Sequence, residues 1–150
     1  MMLHLRKILI RYTIPILFVL MVSSLSRCKK DSSTIPNTFV DFYVYLTQPT
    51  FIKLNAVGGW VYVTGGVKGI IVYRRSSNEF AAYERSCPYD PNAANARIEV
   101  DSSNIICVDP NCGSKFNMLD NSILNGPSTR SMKTYYADYD PSGQTVHVHN

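Results

Sequence analysis

Histidine is scarce in this chain. There are three in 150 residues, His4 near the start and His147 and His149 at alternate positions near the end. No Gly-x-Ser-x-Gly and no His-Glu-x-x-His occurs, so neither a strained-turn serine nucleophile nor a helical zinc pair is encoded. Apolar residues at helical spacing over three turns are also missing, which excludes an amphipathic helical bundle. The glycine pairs Gly58-Gly59 and Gly65-Gly66 are not followed by a helical pattern, and a phosphate-cradling loop needs the free amides of a helix start. There is no internal repeat, no low-complexity tract and no long run of one charge.

What the N-terminus does contain is the layout of an export signal. His4, Arg6, Lys7 and Arg11 precede an apolar stretch from Ile14 to Leu25, which is broken by Pro15 and Ser23-Ser24. It falls short of the roughly 20 residues a membrane-spanning helix needs. Leu25-Ser26-Arg27-Cys28 resembles a lipobox, with Arg27 standing where a small residue is usual. Residues 1–27 are therefore expected to be a lipoprotein signal peptide, with Cys28 the lipidated residue. The polar residues 28–37, Lys29 and Lys30 among them, are expected to be a flexible tether.

Removing that signal removes Arg6, Lys7, Arg11 and Arg27, and with them the whole formal excess of +4. The remaining basic residues only balance the 11 acidic ones, so no electrostatic footprint for nucleic acid is left. The expected partners are the membrane, through the N-terminal lipid, and an unidentified protein of a bacterial cell envelope. Cys87, Cys107 and Cys112 remain after Cys28. In an oxidising compartment three cysteines allow one disulfide and a free thiol, or three ligands.

From Phe39 onward the text is strand-like. Phe39–Tyr45, Trp60–Val63, Ile70–Tyr73, Phe80–Tyr83, Arg97–Val100, Asn104–Cys107, Lys133–Tyr139 and Thr145–His149 are rich in β-branched and aromatic residues. Asp101–Asn104, Leu124–Pro127 and Asp140–Gly143 carry turn chemistry. The expected fold is all-β and mainly antiparallel, with residues 38–150 forming one domain. Phe39–Tyr45 is expected to face the core, and Arg74, Arg75 and Arg85 to be solvated strand ends. His147 and His149 share a strand face, which allows a metal pair, but alternation with Val146 and Val148 favours plain polar positions.

Three stretches resemble the Rieske domain: Gly69–Arg74 through Phe80–Tyr83 to Cys87-Pro88, then Gly113–Phe116, then Asn125–Arg130 leading into Met132–Tyr135. The resemblance runs from about residue 55 onward. It implies a stack of small antiparallel sheets with few or no helices, and two facing loops, Cys-x-His and Cys-x-x-His, that hold a two-iron two-sulfur cluster. Ser114 is similar to the serine that hydrogen-bonds the cluster, and Pro127 to the proline of a covering loop.

The ligands depart from that pattern. Cys87 matches the first cysteine, but Tyr89 stands where the family has histidine. Cys112 stands where the second histidine belongs, and Cys107 lies five residues before it instead of three. A phenol is a poor ligand for cluster iron at ordinary pH. The expectation is that no cofactor is bound and that Cys87 forms a disulfide across the loops with Cys107 or Cys112, the alternative bridge being Cys107 with Cys112. The expected function is a binding or structural module; the alternative is a two-iron two-sulfur electron-transfer protein with altered ligands. A thiol-redox role has less to support it, because Cys107 and Cys112 lack Cys-x-x-Cys spacing.

Overall fold

A computed structural model describes residues 34–150; the expected signal peptide, Cys28 and the start of the tether lie outside them. Ten strands follow in order: β1 (Asp41–Tyr45), β2 (Trp60–Val63), β3 (Ile70–Arg74), β4 (Phe80–Glu84), β5 (Glu99–Val100), β6 (Ile106–Val108), β7 (Lys115–Asn117), β8 (Ile123–Asn125), β9 (Thr134–Asp140) and β10 (Thr145–His149). They form a six-stranded sheet in the order β1-β10-β9-β4-β3-β2 and a four-stranded sheet in the order β5-β6-β7-β8. Every pairing is antiparallel. Among the described residues the one helix is a 3-10 segment, Pro49–Asn55. The all-β expectation with few helices holds.

The centre of the domain is β3 and β4, which the sequence writes as unbroken apolar runs. Such runs suit a strand buried on both faces, since alternate side chains enter opposite layers. Ile70, Val72, Phe80 and Ala82 join Val44, Leu54, Val61, Val146 and Val148 in one core. Ile71, Tyr73, Ala81 and Tyr83 turn the other way, towards Ile98, Cys107, Phe116 and Met118 of the second sheet and its loops. Tyr83 is fully buried, and its hydroxyl donates to the Met118 carbonyl at 2.6 Å. Burial pushes its phenol above the ordinary value.

At its end β4 carries a buried acid. Glu84 is 0% exposed, and burying a carboxylate is costly unless its oxygens are satisfied. They are: Oε2 accepts from the Val67 N–H at 2.7 Å and the Tyr135 hydroxyl at 2.7 Å, and Oε1 from the Lys68 and Ser86 N–H groups at 2.9 Å each. The acid thereby ties the 64–69 turn, the start of the Arg85–Ile98 loop and β9 together. Gly66, at φ +60°, leaves the room; a Cβ there would collide with the carboxylate.

Several local expectations change. Phe39, Tyr43 and Tyr45 are exposed while Val40 and Val44 are buried, so the first strand is half surface, as alternation on an edge strand requires. Arg85 is not solvated. It is 6% exposed, lies 3.6 Å from the centre of the Tyr62 ring and donates from Nε to the Ile98 carbonyl at 2.9 Å; burial, then the neighbouring Arg97, holds its guanidinium below the usual range. Leu124 and Asn125, expected in a turn, lie in β8.

Candidate functional site

Three loops meet at one end of the four-stranded sheet. The first follows β4 and contains Cys87-Pro88-Tyr89. The second, between β6 and β7, is Asp109–Ser114, and the third, after β8, is Gly126–Ser131. The second loop turns tightly because Asp109 accepts the Asn111 N–H on Oδ1 at 2.9 Å and the Gly113 N–H on its backbone carbonyl at 2.8 Å. Gly113 sits at φ +79°, a conformation that favours glycine.

Side chains then fasten the loops to each other. The Ser128 N–H donates to Ser114 Oγ at 2.9 Å, joining third loop to second. Arg130 donates to the Pro88 carbonyl at 2.8 Å, joining third to first. Asn95 and Asn111 join first to second at 2.6 Å.

Between these contacts lie two thiols and an acid. The sulfurs of Cys87 and Cys112 are 3.8 Å apart. Cys112 Sγ is 3.2 Å from Asp109 Oδ2 and 3.1 Å from Ser114 Oγ. One ligand-type atom from each of Cys87, Asp109 and Cys112 lies within 4.8 Å of the others. Cys87, Asp109 and Ser114 are each 0% exposed, while Cys112 is partly open. Burial pushes the Cys87 thiol up strongly, and the Asp109 carboxylate adds to this; the backbone at Tyr89 acts against it.

The residues named from the sequence therefore separate. Cys87, Cys112 and Ser114 are together. Pro127 is exposed on the third loop beside the buried Ser128. Tyr89 follows Cys87 but is 41% exposed. Cys107 is elsewhere: it lies on β6 in register with Val100 and Phe116, is fully buried in the second core and stands outside the Cys87–Asp109–Cys112 group. Burial pushes its thiol up to about 12. The expected cross-loop disulfide is not seen. All three cysteines are free among the described residues, and the 3.8 Å between Cys87 and Cys112 is a contact, well above the ~2.05 Å of a bond.

His147 and His149 lie on β10 of the other sheet. Their rings stack at 4.5 Å between centroids, and Nε2 of each meets a carboxylate, Asp41 at 2.7 Å and Asp138 at 2.8 Å. Val146 and Val148, which alternate with them, are fully buried. Asp109 was not legible as a site residue. Asp-Pro-Asn signals a turn that closes on the aspartate side chain, but nothing in the spacing says that the second carboxylate oxygen faces a thiol.

No protein-family model and no curated protein matches the chain. Among solved structures, the cyanobacterial plasma membrane Rieske protein PetC3 from Synechocystis PCC 6803 superposes with a TM-score of 0.51 at 19% identity, covering 67% of this chain and 94% of that one. The putative NADH-dependent nitrite reductase small subunit from Mycobacterium tuberculosis overlaps at a TM-score of 0.43 and 20% identity, covering 74% of this chain and 96% of that one. The first of these, with the two-sheet architecture and the three converging loops, makes the fold of this chain one of the Rieske type.

A Rieske cluster takes two thiolates on one iron and two imidazoles on the other. The converging loops contain no histidine. They offer two thiols and a carboxylate, while the third thiol, Cys107, sits on β6 outside that group. The residues present do not fit that ligand set.

Proposed function

We propose that this chain is a lipid-anchored protein of a bacterial cell envelope whose Rieske-type domain has given up its two-iron two-sulfur cluster and serves as a binding or structural module. One observation carries the reading: the loops that would clasp a cluster are held together by their own contacts, Ser128 to Ser114, Arg130 to Pro88 and Asn95 to Asn111. A loop set fastened in this way keeps its shape with no cluster as a clasp. The signal-like residues 1–27 and Cys28 support the anchor. On this reading the partners are the membrane, through the lipid, and a protein of the envelope, with no nucleic acid involved. Among the described residues no helix is long and apolar enough to cross a membrane.

A second reading, an electron-transfer protein with altered ligands, draws on the Cys87–Asp109–Cys112 group. The test is anaerobic purification of the full chain from membranes, beside a Cys28→Ala form. A colourless protein that leaves the membrane fraction when Cys28 is replaced supports the proposal. A visible iron-sulfur absorption would favour the second reading, and unchanged membrane association of Cys28→Ala would remove the anchor.

A further inference from the structure

The Cys87–Asp109–Cys112 group has more in it than a vacated site requires. Two thiols in an apolar pocket would be ordinary, because a free cysteine behaves there as a small hydrophobe. An acid within 4.8 Å of both is not ordinary, because Asp109 is itself fully buried. Its Oδ1 is held by the Asn111 N–H, which leaves Oδ2 aimed at Cys112. A disulfide between the two sulfurs would make no use of that oxygen, and would remove the S–H donor now facing it. A cation would use all three groups.

The distances suit one cation and not two. Thiolates bound to zinc at about 2.3 Å in a tetrahedral arrangement stand about 3.8 Å apart, which is the separation between Cys87 and Cys112. The surroundings resemble the outer contacts that orient metal ligands: Ser114 Oγ is 3.1 Å from the Cys112 sulfur, and the Asn111 N–H fixes the carboxylate. Cys112 is partly open, so an ion has a way in. Two thiolates, which are soft donors, outweigh the one hard carboxylate oxygen and select a thiophilic divalent ion such as zinc over magnesium or calcium.

We propose that Cys87, Asp109 and Cys112 bind a single zinc-class cation, in a mononuclear site that stands where a Rieske fold would carry its cluster. The inference rests on the reading that the cluster is gone. Binding exchanges two S–H bonds for two metal–sulfur bonds, releases both protons to the buffer and leaves the oxidation state of the metal unchanged. With three protein ligands, the fourth position is left for water or for a group from a partner.

The test uses the full chain, reduced and stripped with a chelator. Zinc is titrated against a chromophoric competitor, and cobalt is substituted as a spectroscopic probe. One equivalent of zinc, a tetrahedral cobalt spectrum with sulfur-to-metal charge transfer, and protection of Cys112 from alkylation are expected of the unaltered protein. Cys112→Ser should weaken binding by more than about 100-fold, since loss of an outer contact alone commonly costs 10–100-fold, while Cys107→Ser should leave the stoichiometry at one. The proposal is overturned if the reduced protein takes up no zinc, or if binding survives in Cys112→Ser and Cys87→Ser, which would put the ion elsewhere. Acid-labile sulfide in the isolated protein would instead defeat the cluster-loss reading and this inference together, whereas failed zinc uptake without sulfide defeats this inference alone.

Discussion

The backbone N–H of Ser128 donates to the Oγ of Ser114 at 2.9 Å, and the same hydroxyl stands 3.1 Å from the sulfur of Cys112. One small side chain thus fastens the third loop to the second and borders the thiol pair. Ser114→Ala leaves the buried Ser128 N–H without its acceptor. Denaturant unfolding should show a loss of about 1–3 kcal/mol, and Cys112 should alkylate faster as the loop loosens. An unchanged midpoint and rate would mean that the contact holds nothing.

Glu84 has a larger share in the fold. Replacing its carboxylate by an amide keeps the shape but turns one acceptor into a donor facing N–H or O–H groups. Glu84→Gln is expected to destabilise the domain by at least about 1.5–3 kcal/mol, the range for a hydrogen bond to a charged group. The same variant should bring the Tyr135 phenol back towards its ordinary range, because that group is raised by burial first and by Glu84 second. Ultraviolet titration of tyrosine absorbance measures the second effect separately from the first.

The buried thiols set an alkaline limit. Cys107 is raised from 9.0 to about 12 by burial, then by Asp101, and Cys87 is raised as well. A folded state that holds the proton more tightly than the unfolded state is stabilised fully below the unfolded value. That stabilisation is lost as pH climbs towards the folded one. Unfolding free energy should therefore fall between about pH 9 and 12, by up to about 1.4 kcal/mol per pH unit for each thiol. Cys107→Ala should remove its own part of that slope. Equal slopes in the two proteins would show that Cys107 does not titrate with unfolding.

The strands that the sequence made legible are those whose composition leaves no alternative. Ile70–Tyr73 and Phe80–Tyr83 are β-forming runs between turn residues, and both became central strands. The 3-10 helix Pro49–Asn55 was invisible because it buries only Leu54 and so leaves no periodic pattern. Strands β7 and β8 are three residues each, and Leu124-Asn125 precedes Gly126-Pro127, so turn chemistry masked a strand end. Arg85 misled because charge suggests solvent, whereas the Tyr62 ring and the Ile98 carbonyl cover it.

At the site, the sequence brought Cys87, Cys112 and Ser114 into view through their positions in the resemblance. It could not separate Cys107 from them, since five residues of spacing do not say that one cysteine faces a core across β6 while the other turns outward. Nor could it supply Asp109. Which side chain fills the gap between facing loops depends on how tightly the turn closes, and that is set by the Asp109 hydrogen bonds to Asn111 and Gly113.

On the proposed function, a Rieske-type fold persists here without its cluster. Quantifying iron and acid-labile sulfide in the full chain, purified anaerobically from its own membranes, tests it most directly. The expected result is no acid-labile sulfide and no iron pair, with any bound metal limited to one ion per chain. Two irons and two sulfides per chain would contradict it.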